Sequence, residues 1–171
     1  RKETGLTNSQ TKEINDSGER CSIAKVRMPN DIEVLAELGE FNQVYYFPTP
    51  KIFGKRSLDY DEELYANFHE IYVGSFKKLL NHFNKQSIKT SIFYPSTAAI
   101  DNPLPELSEY IDAKKAGENL CKESDHLKNL SIHISRIPRA KTDQSISLLQ
   151  AESKNPEQVM LPIIREMLLS I

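Results

Sequence analysis

Glycine is scarce in this 171-residue chain, and the six that occur (Gly5, Gly18, Gly39, Gly54, Gly74, Gly117) are scattered. No G-x-G-x-x-G or G-x-x-x-G-x-G turn exists to wrap a phosphate at a helix N-terminus. Cysteine is scarcer. Cys21 and Cys121 lack a CxxC partner or a nearby histidine, which speaks against a zinc site or a disulfide framework and for a reducing, cytoplasmic setting. The four histidines, His69, His82, His126 and His133, show no ligand spacing with a carboxylate, so no metal is expected. Twenty-two basic against twenty-four acidic side chains leave a charge of −2 and no basic stripe, which excludes a typical nucleic-acid binder. The longest uncharged stretch, residues 90–100, contains Ser, Thr, Tyr and Pro and falls far short of the roughly 18 apolar residues of a membrane span. Residues 1–20 are polar, have no signal-peptide apolar segment, and read as poorly ordered apart from a helical stretch at 8–15. The chain opens on Arg1 rather than Met, as expected of a piece of a longer polypeptide.

What is present suits one packed domain over residues 1–171, with 39% hydrophobic and 27% charged residues. Residues 22–28 (SIAKVRM) alternate apolar and polar and predict a strand, followed by a helix from Asn30 or Asp31 to Leu38. Residues 44–47 (VYYF) predict a strand stopped by Pro48 and Pro50. Leu64, Phe68, Ile71, Phe76, Leu79, Leu80 and Phe83 stripe a helix over 61–83, its acidic start (Asp59, Asp61, Glu62, Glu63) suited to capping and to the helix dipole. A strand at 91–94 then leads into a loop, PSTAAIDNPLPEL, whose three prolines oppose regular structure. A helix over 108–127, a strand over 130–137 and a helix after Pro156 follow, with Pro162 suited only to that helix's first turns. Alternating strands and helices predict an α/β fold, a parallel sheet with crossover helices.

The chemistry concentrates in residues 91–121. Ser96 and Thr97 come just past a predicted strand, at the sheet edge where open parallel sheets bind ligands. Tyr110 and Lys114 fall four apart on one helix face. An ammonium beside a phenol favours the phenolate and lowers its pKa, and a nearby hydroxyl can hold the oxygen of a carbonyl or alcohol.

Tyr110-Ile-Asp-Ala-Lys114 with a preceding hydroxyl resembles the Ser…Tyr-x-x-x-Lys hallmark of the short-chain dehydrogenase/reductase family, and AKKAGE resembles the small-residue continuation of that helix. Thr97 has the family's thirteen-residue spacing to the tyrosine and Ser96 stands at fourteen, so either could be the hydroxyl. VYYFPTP resembles the strand that ends beside the cofactor, with Pro48 and Thr49 in place of Ala-Gly. SRIPRAKTD resembles the loop touching the nicotinamide amide, with Pro138, Arg139 for glycine, and Thr142 as the hydroxyl. More narrowly, the pattern is similar to ketoreductase-like members attached to polyketide and peptide synthases.

The resemblance implies a Rossmann-like, doubly wound parallel sheet and a hydride transfer between NADP or NAD, with NADP preferred, and a small-molecule carbonyl or secondary alcohol. Tyr110 would be the general acid/base, Lys114 would bind the nicotinamide ribose and tune Tyr110, and Thr97 or Ser96 would polarise the substrate oxygen. Pro138, Thr142 and Thr49 would lie against the cofactor. The long helices are similar to those that pair across family dimers, so a homodimer or membership of a larger polypeptide is expected. Several departures stand beside this. The glycine-rich start of the sheet is missing, so the sheet reads as incomplete at its N-terminal end. Tyr72 occupies the place of the family's helix asparagine, with Asn67 on another side of the helix, and Arg27 and Met28 stand where an adenine-contacting aspartate is usual. These departures suit the alternative, a non-catalytic module with the same fold acting as scaffold or interaction surface in a larger assembly.

Overall fold

The computed structural model describes residues 31, 34–37, 39–52, 58–138 and 155–169. The expectations for residues 1–30, including the strand at 22–28 and the positions Arg27 and Met28, lie outside them, as do those for Arg139 and Thr142.

Among the described residues three strands form a parallel sheet in the order β1-β2-β3: β1 (Gln43–Tyr45), β2 (Thr90–Thr97) and β3 (Leu130–Ile137). Parallel neighbours need crossovers, and helices supply them. Between β1 and β2 run α2 (Glu62–His69), a π-helical segment (Glu70–Ser75) and α3 (Phe76–Phe83). Between β2 and β3 runs α4 (Ser108–Glu123). A short α1 (Val34–Glu37) precedes the sheet, and α5 (Pro156–Leu169) follows it. This is the α/β arrangement that the alternation predicts, of the Rossmann-like kind that the resemblance implies.

The pleat sorts the central strand's side chains to two faces. Ile92 and Tyr94 turn toward α3 and α4, where Phe76, Leu79, Leu80, Phe83 and Cys121 complete the main core. Phe93 turns the other way, meeting the rings of Tyr45 and Phe47 and lining a cleft with Ile163 and Met167 of α5. A second apolar cluster, Phe68, Tyr72 and Ala113 with Tyr110 beside them, joins α2 and the π segment to α4.

Four boundaries differ from the sequence expectation. Strand β1 starts and ends earlier than 44–47, because Tyr46 leaves the ladder into the core while its N–H still donates to Phe93 O at 3.0 Å. Strand β2 does not stop at Tyr94 but runs through Pro95, Ser96 and Thr97. The ladder explains the tolerated proline: Thr90 N bonds toward β3 at Asn129 O, Ser91 N toward β1 at Asn42 O, and the directions alternate thereafter. Residue 95 therefore faces the β1 side, where β1 has already ended, and the missing N–H breaks no bond. Helix α4 ends at Glu123 rather than 127, the chain closing instead as a turn through Leu127 N to Ser124 O at 3.0 Å. In α5, Pro162 sits in the helix interior, where the carbonyl it leaves unbonded belongs to the exposed Gln158.

The acidic start of α2 caps as expected: Asp61 accepts from Leu64 N at 3.0 Å, with Glu62 and Glu63 in the first turn. A fourth carboxylate adds to it, since the buried Glu109 at the start of α4 accepts from Asp61 N at 2.7 Å and so ties the two helix starts together.

Candidate active site

The site lies where β2 runs out. Beyond the end of β1 the Pro95 carbonyl has no strand partner, and Lys114 Nζ of α4 donates to it at 2.7 Å. The same nitrogen stands 3.8 Å from the centre of the Tyr72 ring, 5.2 Å from Tyr94 and 5.9 Å from Tyr110. Only 5% of Lys114 is exposed, and among the described residues no carboxylate lies within ion-pair distance of it. Removal from water therefore dominates and lowers its pKa to about 7, with a weak opposing influence from Cys121.

Tyr110 packs edge-on against Phe68 and Tyr72. The Thr97 hydroxyl stands near enough to its phenol to influence it, and that hydroxyl accepts from Ala99 N at 3.3 Å and opens a 3₁₀ turn (Ala98–Ile100). Burial raises the Tyr110 pKa above the ordinary tyrosine value, and the nearby Thr97 hydroxyl opposes this. The expected lowering by Lys114 is not found: the nitrogen is nearly 6 Å from the Tyr110 ring centre, and its charge is itself suppressed by burial near neutral pH.

Of the two candidate hydroxyls, the fold brings Thr97 to Tyr110 and sends Ser96 elsewhere. Ser96 Oγ donates to Glu118 Oε1 at 2.5 Å, and Glu118 accepts from Arg136 Nε and Nη2, both at 2.8 Å. Arg136 also pairs with Asp101 through Nη1. The Arg136 fork holds Glu118 below the usual carboxylate range, with burial opposing and Ser96 assisting. This network ties α4, β2, β3 and the turn after Thr97 to one another. The sequence held a hint of it, since Glu118 lies four residues past Lys114. Ser96 and Arg136, however, become neighbours only through the parallel register.

Thr49 reaches the site indirectly, its hydroxyl 2.6 Å from Tyr72 Oη. Pro138 follows the last residue of β3, half-buried. The π segment is what presents Tyr72. Its backbone carbonyls take side-chain donors as second partners: Ile71 O from Tyr46 Oη at 2.6 Å, Tyr72 O from Tyr94 Oη at 3.2 Å, and Glu70 O from Ser75 Oγ at 2.9 Å. Sequence spacing marks Tyr72 and gives no sign of its place over Lys114.

The Rossmann-like parallel-sheet fold that carries this site is shared with solved structures of oxidoreductases. FolM alternative dihydrofolate reductase 1 from Brucella canis, complexed with NADP, superposes with a TM-score of 0.73 at 11% identity, over 92% of this chain and 70% of that one. An oxidoreductase of Escherichia coli str. K-12, so named provisionally, gives 0.71 at 16%, over 93% and 73%. An alcohol dehydrogenase of the archaeon Thermococcus sibiricus, complexed with 5-hydroxy-NADP, gives 0.68 at 14%, over 95% and 74%. The chain thus spans about seven-tenths of each. No family model and no curated protein matches the sequence. Among the described residues no helix is long and apolar enough to cross a membrane.

Proposed function

We propose that this chain carries the catalytic end of an NAD(P)-dependent oxidoreductase that interconverts a small carbonyl compound and its secondary alcohol, with NADP preferred. The observation that carries the reading is the joining of Tyr110, Thr97 and Lys114 at one strand end, on a fold shared with proteins solved with NADP or 5-hydroxy-NADP. A reduced nicotinamide, when bound, would supply the hydride. Tyr110, kept protonated by burial, would donate the proton from its Oη to the carbonyl oxygen, while Thr97 steadies that oxygen. Those roles suit the reducing direction. Lys114, with donors left beyond the one spent on Pro95 O, would hold the nicotinamide ribose. Pro138 and Thr142 are assigned to the cofactor's rim, with Thr49 set behind Tyr72, and the two cysteines suit a cytoplasmic setting.

The residues fit the nicotinamide end and not the pyrophosphate end, because no glycine-rich turn occurs anywhere in the sequence. That deficit favours the second reading, a non-catalytic scaffold of the same fold. Fluorescence titration with NADPH, followed by turnover of a panel of ketones and aldehydes, separates them. The enzyme reading expects saturable binding and, in Tyr110→Phe, a turnover loss of about 10²–10⁴-fold with binding little changed. Turnover retained in Tyr110→Phe would sink the catalytic assignment, and no binding at millimolar NADPH would establish the scaffold.

A further inference from the structure

Lys114 is a cation almost wholly removed from water, and among the described residues no carboxylate answers it. Such a group stays charged and oriented only if dipoles or π faces replace its hydration. The groups facing it are the Pro95 carbonyl and Tyr94 from β2, Tyr110 and Cys121 from its own helix, and Tyr72 from the π segment. Among the rings Tyr72 is nearest by well over 1 Å. It is also firmly set. Its ring stacks on Phe68 at 6.0 Å, 6° from parallel, it meets Tyr110 edge-on, and its hydroxyl is joined to Thr49 at 2.6 Å.

We propose that Tyr72 is the positioning residue of this site: its ring face holds the Lys114 ammonium against the Pro95 carbonyl, and Thr49 locks the ring. The role rests on the reading of Lys114 as the ribose-binding group, but the contact itself can be tested without a cofactor. Thr49 then belongs to the site by fixing Tyr72, not by touching the nucleotide. Because the ring acts on charge, its loss changes how Lys114 titrates as well as how well the site binds.

The test follows the Lys114 side chain by NMR in protein with ¹³C-labelled lysine, its signal assigned by loss in Lys114→Met, alongside NADPH titration. Tyr72→Leu removes the π face and is expected to lower the Lys114 titration midpoint by about one pH unit and to weaken NADPH binding roughly tenfold. Tyr72→Phe keeps the face and should rescue most of both effects, leaving a smaller loss that Thr49→Val reproduces. Should Tyr72→Leu fail to fold, site-specific tetrafluorophenylalanine at position 72 keeps the size while draining the ring face, and it should shift the midpoint in the same direction. An unmoved midpoint in Tyr72→Leu or in the fluorinated variant overturns the proposal, as does a shift in Tyr72→Phe as large as in Tyr72→Leu. If the wild type does not bind NADPH while the midpoint still follows the ring, the positioning contact stands and the oxidoreductase reading falls.

Discussion

Gly117 shows how one residue can set the spacing of the site. A Cβ there would run into Tyr94 Oη and Cζ and lie 3.2 Å from Tyr72 O. Glycine therefore lets α4 approach β2 and the π segment closely enough for Lys114 to reach both Pro95 O and the Tyr72 ring. Gly117→Ala is expected to cost about 1–3 kcal/mol as overpacking, read as a lower urea midpoint with an unchanged slope. A midpoint equal to wild type would show that the ring yields at no cost. The small residue at 117 was legible in the sequence as part of AKKAGE, whereas its reason, a tyrosine from another element, was not.

At the scale of elements, the network through Glu118 joins four pieces of chain that the sequence keeps far apart. Glu118 is buried and takes three donors, so removing it strands Ser96 and half of the Arg136 fork. Glu118→Ala is expected to cost about 1–3 kcal/mol, Arg136 being exposed enough for water to recover part of the loss. Because Arg136 and then Ser96 hold the Glu118 pKa down, this contribution is present above the ordinary carboxylate pKa and fades as pH falls through the lowered value. Acid titration of wild type and Glu118→Ala should therefore converge at low pH, and parallel curves would refute the account. The helix from α2 to α3 offers a second lesson. Its extent was readable from the apolar stripe, but the π segment was not, since its carbonyls accept from Tyr46, just past β1, and from Tyr94 of β2.

For the whole molecule, Lys114 makes stability depend on pH in the unusual direction. Its folded pKa, about 7, lies below the ordinary lysine value of 10.5, so between those values the unfolded chain binds the extra proton. Stability then rises as pH climbs through that window and is flat, at its lower level, below it. Lys114→Met removes the buried charge and should raise stability at pH 7 by about 1–4 kcal/mol, while abolishing the rise between pH 7 and 10. Chemical denaturation of both proteins at several pH values checks this, and a wild-type curve without the rise would mean that water reaches Lys114. A site that weakens its own fold is the expected signature of a group kept for binding rather than for packing.

The sequence by itself determined the α/β alternation, the bounds of β3, the starts of α2 and α4, and the placing of Tyr110 and Lys114 on one helix face. Each of these depends on local periodicity, capping or i,i+4 spacing, which act within a few residues. Only the tertiary structure decided that β2 continues through Pro95, because that depends on where β1 stops. It alone separated Thr97 from Ser96, since the pleat turns neighbouring hydroxyls to different partners. It alone set Tyr72 over Lys114 with a strand carbonyl beneath, an environment built by three elements whose charges and ring faces interact through space and leave no trace in spacing along the chain.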